Sequence, residues 1–399
     1  MRVLLAIACA VSSAAAADAD SVRLARIRYH MAQNLTEMPN YTCTQTIERS
    51  RRPARGRRFQ LLDTLRLEVA LVNGAELFAW PGSGKFEDRK ISEMVGGTIG
   101  NGVFAGHARS VFMGSGASFE FLGEQAADSS PAFRYRYDVP LARSNYTIKV
   151  GDQESVVAYS GYFETSATSL DLREFQVRVT RFPSNIPLTE STVTMRYAHA
   201  RIGERDFTLP ETADLVMTDL EGTENRNLTR FSGCRQYSGE SVVRFDDPVD
   251  IVPGDTPVTE AVTLPPGLIL EAQLNSPVAF GKTAIGDYLE CRLTSPARIK
   301  GRVMVPKGAT LRARVVKLER GMARTEILRV GLRLEEVEFP GAKAFASAIL
   351  EDAGPTMLRS LRVAVDRAGI IWITGNTPEL ARGMRLVWRV TGIPTKEQQ

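Results

Sequence analysis

The chain has 399 residues, of which 43% are hydrophobic; that is longer than one core usually organises, so a globular protein of two domains is expected. With 50 Lys plus Arg against 46 Asp plus Glu the formal net charge is only +4, too weak to argue for nucleic acid as a partner. Beyond the first residues no window approaches the roughly 18 to 20 uninterrupted apolar residues of a membrane span.

The chain opens as a secretory signal does. Arg2 supplies a positive n-region, "VLLAIACAVSS" an apolar stretch and "SAAAADAD" small residues for cleavage near Ala17. Residues 1–17 are therefore expected to be removed, leaving a periplasmic or secreted bacterial protein. "SVRLARIRYHMAQNLTEM" places Val22, Ile27, Met31 and Leu35 in one apolar stripe, a helix that Pro39 stops. From there to about residue 245 the period is two. "TLRLEVALVNG" alternates Leu65, Leu67, Val69 and Leu71 with other residues before Asn73-Gly74, a hairpin signal. "FRYRYDV", "REFQVRVTRF" and "TVTMRYAHARIG" continue the pattern, which is that of an antiparallel sheet with one wet face.

Three stretches interrupt it. "ERSRRPARGRR" carries six arginines between Arg49 and Arg58. It reads as a solvated loop between strands, with the alternative that Arg51, Arg52, Arg55, Arg57 and Arg58 touch anionic envelope material such as phospholipid headgroups or acidic polysaccharide. "ELFAWPGSGKF" resembles a phosphate loop only superficially: Ala79 stands where the first glycine belongs and Phe86 where Ser or Thr belongs, so Pro81-Gly82 is a turn and Lys85 an exposed charge. "MVGGTIGNGVFAGHARSVFMGSG" spaces Val103, Phe104, His107, Val111 and Phe112 as a short helix between glycines, either a plug packed on the sheet or a flap over an apolar cleft.

Residues 246–263 are Pro-rich and lack periodicity, an extended linker; Asp246, Asp247, Asp250 and Asp255 do not have the spacing of a calcium loop. Residues 264–392 hold seven short alternating runs, "GLILEAQL", "DYLECRL", "ATLRARVVKLER", "ILRVGLRLEEVEF", "SLRVAVD", "GIIWITG" and "MRLVWRV". They read as a small barrel or sandwich, followed by a tail at 393–399. The expected fold is mainly β with few helices: a half-barrel-like antiparallel domain at 18–245 behind an N-terminal helix, then the small β domain.

In an oxidising compartment two of the three cysteines left after signal removal should pair. Cys43 and Cys234 share the first domain and are paired here; Cys291 alternates with apolar residues and reads as a small buried hydrophobe. The three histidines, His30, His107 and His199, have no second His at metal-binding spacing, and no G-x-S-x-G elbow occurs. No catalytic, cofactor or metal residue is assigned. The expectation is a non-enzymatic binding protein with Trp80, Phe104, Phe112 and Tyr162 as candidate lining of an apolar cleft.

"YTCTQTIERSRR", "ELFAWPG", "MVGGTIGNGVF", "YSGYFETSATSLDLREFQV" and "RFSGCRQYSGES" resemble an acidobacterial family of secreted proteins with no assigned activity. The leading helix, successive strands and "GYFETSATSLDLRE" also resemble the superfamily of periplasmic lipoprotein carriers and sigma-factor regulatory proteins, with Phe163-Glu164 where an aromatic followed by Asp is usual. That resemblance implies a half-barrel wrapped around helices, with an apolar cavity for a lipid or an acylated protein. "PPGLILEAQLNSPV", "GRVMVPKGATLRARV" and "GMRLVWRV" are similar to the β-barrel of conjugal-transfer (type IV secretion) scaffold proteins, which implies contacts with an envelope protein. An envelope scaffold and a cell-wall glycan hydrolase, built on a carboxylate pair among the 46 acids, are the alternatives to a lipid binder.

Overall fold

In the computed structural model the described residues are 3–83, 86, 102–127, 130–237, 260–322, 326–354, 368–376 and 378–392, with side chains described from Ala19 on. Lys85, the glycines at 96, 97 and 100, the linker as far as residue 259, its four aspartates, the run at 360–366 and the tail lie outside them. The chain divides into two compact units, one of residues 1–60, 67–79 and 83–239, the other of residues 61–66, 80–82 and 240–399.

The first unit is a curled antiparallel sheet behind a long helix. Helix α1 spans Val3–Glu37 and starts well before the expected residue 21, because the Leu- and Ala-rich stretch ahead of it is made of strong helix formers. Ile27, Met31 and Leu35 are buried, whereas Val22 is 56% exposed. The stripe is therefore Leu24, Ile27, Met31 and Leu35; five residues separate Val22 from Ile27, which turns it off that face. No helix among the described residues is long and apolar enough to cross a membrane.

Among the described residues its strands are β1 (Tyr41–Arg52), β2 (Gln60–Val72, whose residues 61–66 count with the second unit), β3 (Ala75–Ala79), β4 (Ser118–Ala127), β5 (Ser130–Val139), β6 (Thr147–Val150), β7 (Gln153–Val156), β8 (Tyr159–Ser166), β9 (Leu172–Val179), β10 (Leu188–Ile202), β11 (Arg205–Asp219) and β12 (Glu224–Gln236). Helix α2 (Gly106–Phe112) lies between β3 and β4. The main sheet runs β3-β2-β1-β12-β11-β10-β9-β8-β5-β4, and β6 pairs with β7. Asn73 and Gly74 close β2 onto β3 with φ of 52° and 82°, the two positive values that a two-residue hairpin turn demands.

Register explains why the sheet has two chemically distinct faces. One cross-strand row, Tyr135, Phe163, Phe175, Met195, Ala213, Thr229 and Ile47, crosses seven strands, and every member is buried. The opposite face carries ion pairs: Arg134 to Glu164 at 3.3 Å, Arg196 to Glu174 at 3.2 Å, Arg226 to Asp214 at 2.6 Å and Arg230 to Glu48 at 2.8 Å. A one-residue slip would exchange the faces and bury these charges, so the alternation fixes the register. Cys43 and Cys234, on neighbouring β1 and β12, form a disulfide beside a bulge at Thr42/Thr44.

The second unit is a small β domain. It contains β13 (Glu260–Ala261), β14 (Ile269–Leu274), β15 (Val278–Ala279), β16 (Tyr288–Leu293), β17 (Ala297–Ile299), β18 (Arg302–Val305), β19 (Thr310–Met322), β20 (Glu326–Phe339), β21 (Ala342–Phe345), β22 (Ser347–Asp352), β23 (Gly369–Gly375), β24 (Glu379–Leu380) and β25 (Arg385–Gly392). Its sheet runs β13-β21-β20-β19-β16-β14-β25-β22, with β23 also on β20. Leu328, Val330, Leu332 and Leu334 of β20 face its core with Leu386, Trp388 and Val390 of β25. Cys291 is buried there, and burial pushes its thiol up to about 12, so it behaves as a small apolar side chain.

Arg314 departs from the alternation. It sits on the nominally wet face of β19 yet is 1% exposed. Its guanidinium donates to Glu335 at 2.8 Å and to the carbonyls of Pro81 and Gly286 at 3.1 and 2.9 Å, and it stacks over Tyr288 at 4.0 Å. Burial pushes the Glu335 carboxyl up, but Arg314 and Arg333 together outweigh it and hold the group below the usual range.

Candidate functional site

The inner face of the first unit is an aromatic floor. Tyr135 stacks on Phe163 at 5.3 Å, Tyr137 on Phe175 at 5.4 Å, and Phe119 and Phe121 extend the cluster along β4. Helix α1 crosses this floor. Arg23 lies over the rings of Phe121 and Phe133 at 4.4 and 4.7 Å, and Arg28 over Phe119 at 5.4 Å.

Helix α2 and the turn before it press two rings into the same floor. Phe112 packs edge-on to Phe163 at 5.0 Å and tilted against Phe175 at 5.8 Å, while Phe104 lies between Tyr41 at 4.9 Å and Phe231 at 5.1 Å. Val103 and Val111 are buried with them. The helix has seven residues and no side-chain cap of its own, so other elements supply its ties. Glu76 of β3 accepts from the backbone N–H groups of Ala105 and Gly106 at 2.9 and 3.1 Å. Burial pushes the Glu76 carboxyl up, and backbone donors from Gly102 to Gly106 only partly offset that. Arg109 donates to the Leu35 carbonyl near the end of α1 at 3.2 Å, Arg28 to the Gly114 carbonyl at 3.0 Å, and Ser110 and Tyr159 share a hydrogen bond of 2.8 Å.

A polar joint fastens α1 to the sheet. His30 of α1 and His199 of β10 reach opposite oxygens of Asp171 at 2.8 and 3.5 Å, and Thr208 donates to the first of these oxygens at 3.2 Å. Asn34 donates to the Thr208 carbonyl at 3.2 Å, and Arg205 pairs with Glu37 at 2.7 Å. Burial pushes the Asp171 carboxyl up, but hydrogen bonds from Ser169 and His30 and the charges of both histidines together bring it below its ordinary value. Two small clefts flank the joint, one of about 300 Å³ beside Ser166, Arg173 and Tyr197, the other of about 200 Å³ beside His30, Gln33 and Arg205. Both have polar rims. Among the described residues no group of three His, Cys, Asp or Glu side chains is placed to hold a metal ion.

The four aromatics suggested by the sequence are not brought together. Phe104 and Phe112 share the inner face of the first unit. Tyr162 lies on the opposite face, where its hydroxyl donates to Glu174 at 2.6 Å and Arg134 covers its ring at 3.9 Å; adjacent strand residues alternate faces, and Phe163 takes the inner one. Trp80 belongs to the second unit, 5.9 Å from the Arg314 guanidinium. Of the arginines, Arg51, Arg55, Arg57 and Arg58 are exposed, while Arg52 pairs with Glu224. The joint of His30, Asp171 and His199 was invisible to a search for local histidine pairs because its members come from three elements far apart in the chain.

No protein-family profile matches the chain, and no curated protein does. Among solved structures it is similar to a LolA superfamily protein from Nitrosomonas europaea, with 10% identity and a TM-score of 0.27 over 53% of this chain and 93% of that one. A protein domain from Vibrio parahaemolyticus assigned to outer membrane lipoprotein sorting shows 13% identity and a TM-score of 0.26 over 52% and 92%. A DUF1329 family protein from Desulfovibrio piger shows 10% identity and a TM-score of 0.25 over 54% and 92%.

Proposed function

We propose that the first unit is a non-enzymatic binding module for an apolar ligand, a lipid or acyl chain, which lies on the aromatic inner face in the place that α2 occupies here. The observation that carries this is the way α2 is attached. Its apolar contacts are rings and methyl groups that an acyl chain replaces like for like, whereas its remaining ties are a few polar contacts, to Glu76, the Leu35 carbonyl and Tyr159. Gln45 supports an amphipathic ligand: it lies opposite Phe231 in register, and its Oε1 is buried without a hydrogen-bond partner, so a donor on the ligand gains more there than in water. The Cys43–Cys234 disulfide supports an oxidising, extracytoplasmic compartment.

The test is native mass spectrometry of the full chain purified from a bacterial periplasm, followed by solvent extraction and lipid analysis. Co-purifying lipid, or uptake of added phospholipid in a fixed ratio, is expected. A clean apo mass with no uptake of phospholipid or lipopeptide refutes the proposal.

A further inference from the structure

The arginine-rich stretch covers the end of β1 and its connection to β2, and its ten residues from Arg49 to Arg58 contain six arginines and no acid. The structure sets Arg52 apart from Arg51, Arg55, Arg57 and Arg58. Arg52 pairs with Glu224 and lies over the Phe59 ring at 4.9 Å; Arg226 of β12 lies over the same ring at 5.5 Å while its guanidinium grips Asp214 at 2.7 and 2.6 Å. These neutralised cations and the ring between them form a fixed base. Arg51, Arg55, Arg57 and Arg58 are exposed beyond it and form no ion pair with another described residue.

The neighbouring turn contributes an apolar group. Gly222, between β11 and β12, has a φ of 79°, and a Cβ placed there would be 3.3 Å from the Ala54 side chain, so the two turns abut. On that second turn Leu220 is 64% exposed, next to a single exposed acid, Glu221. The unpaired guanidiniums of Arg55, Arg57 and Arg58 on a connection that abuts the turn of an exposed leucine match the chemistry of a membrane surface, where phosphates meet the cations and the acyl boundary takes the apolar side chain. A soluble polyanion has no use for the leucine.

We propose that this end of the sheet docks the first unit onto anionic phospholipid. Each arginine near such a surface contributes about five-fold in binding, so reversing three is expected to weaken binding by about 10²-fold or more. Binding falls steeply as salt rises, because the contact is screened over about 10 Å at moderate ionic strength. The leucine adds a smaller, salt-insensitive share.

The experiment is co-sedimentation of the full chain with extruded vesicles, either phosphatidylcholine alone or phosphatidylcholine mixed with phosphatidylglycerol. It is repeated for the triple variant Arg55→Glu, Arg57→Glu, Arg58→Glu and for Leu220→Ser, all at exposed positions, with near-UV circular dichroism confirming the fold. Salt-sensitive binding to the anionic vesicles alone, lost in the triple variant and weakened in Leu220→Ser, is expected. Equal binding to both vesicle types, no loss in the triple variant, or retention on an acidic polysaccharide column without vesicle binding overturns the proposal. Vesicle binding and ligand uptake are read separately, so failure of one leaves the other standing.

Discussion

Replacing Phe112 by Ala separates a displaceable α2 from an ordinary piece of core. The ring is 2% exposed and contacts Phe163 and Phe175, a setting in which Phe→Ala costs about 3–5 kcal/mol. If α2 can leave the inner face while the sheet stays folded, that loss falls on the docked state alone. Taking the lower end, about 3 kcal/mol shifts the docked-to-undocked ratio by about 150-fold. A ligand that binds only the undocked state then gains apparent affinity in the same proportion, until that state predominates. Titration of the full chain and the variant with a fluorescent fatty acid should show tighter binding in the variant by one to two orders of magnitude. Hydrogen exchange of the α2 amides should speed up without matching change in β8 and β9. Phe175→Ala, which removes part of the floor itself, should weaken binding. Unchanged or weaker binding in the Phe112 variant, together with a global loss of stability of the full 3–5 kcal/mol, would show that α2 is core and refute displacement.

Two further predictions concern the framework. Asp171 is held below its ordinary carboxylate value, so its contribution is complete above that value and is lost as pH falls through the folded one. Asp171→Asn should cost about 1–3 kcal/mol at neutral pH and flatten the fall in unfolding free energy between about pH 5 and pH 3; an unaltered acid limb in urea titrations would show that the joint does not couple α1 to the sheet. The Cys43–Cys234 bridge closes a loop with a sequence separation of 191, for which chain entropy gives about 5 kcal/mol. The Cys43→Ser, Cys234→Ser pair should therefore lower the urea midpoint sharply, and a midpoint equal to that of the parent protein would contradict the estimate.

The longer strands were legible because each carries its own evidence, whereas β15, β17, β18 and β24, of two to four residues, are too short to show an alternation. Leu65, Leu67, Val69 and Leu71 alternate and are buried, and Asn73-Gly74 turns the chain where the pattern stops. The disulfide was legible from compartment and domain membership, and α2 from the spacing of His107, Val111 and Phe112, although Val103 and Phe104, counted with them in the sequence, precede the helix that begins at Gly106. The site was legible only in pieces. Phe104 and Phe112 share the inner face, but nothing in a local pattern says which face of a strand a tyrosine takes, and Tyr162 lies on the other side of the sheet. The burial of Arg314 has no local signal, because its carboxylate partner is 21 residues away and on another strand. Glu76 looks like an unremarkable acid before a turn, and only the fold brings it under the backbone donors that begin α2.

The proposed ligand would favour the inner face because of what each face would lose in binding one. Covering the outer face with an apolar chain would strip water from pairs such as Arg230–Glu48 and Arg178–Glu190, whose exposed geometry makes each worth at most about 1 kcal/mol while desolvation costs several per ion. On the inner face the contacts of Phe104 and Phe112 are already apolar, and an acyl chain that replaces them restores the same kind of burial. Of the polar ties released with α2, the Arg109 and Ser110 side chains and the Ala105 and Gly106 amides travel outward with the helix and regain water, while the buried Tyr159 hydroxyl stays on β8 and takes a polar partner from the ligand or a water. Glu76 stays behind on β3 and recovers hydration as the helix leaves, which removes the burial that pushed its carboxyl up and favours the open state at neutral pH over acid pH. Uptake of a neutral apolar probe should accordingly weaken as pH falls through the range in which Glu76 takes a proton, and Glu76→Gln should abolish that dependence while leaving the acid limb set by Asp171 in place.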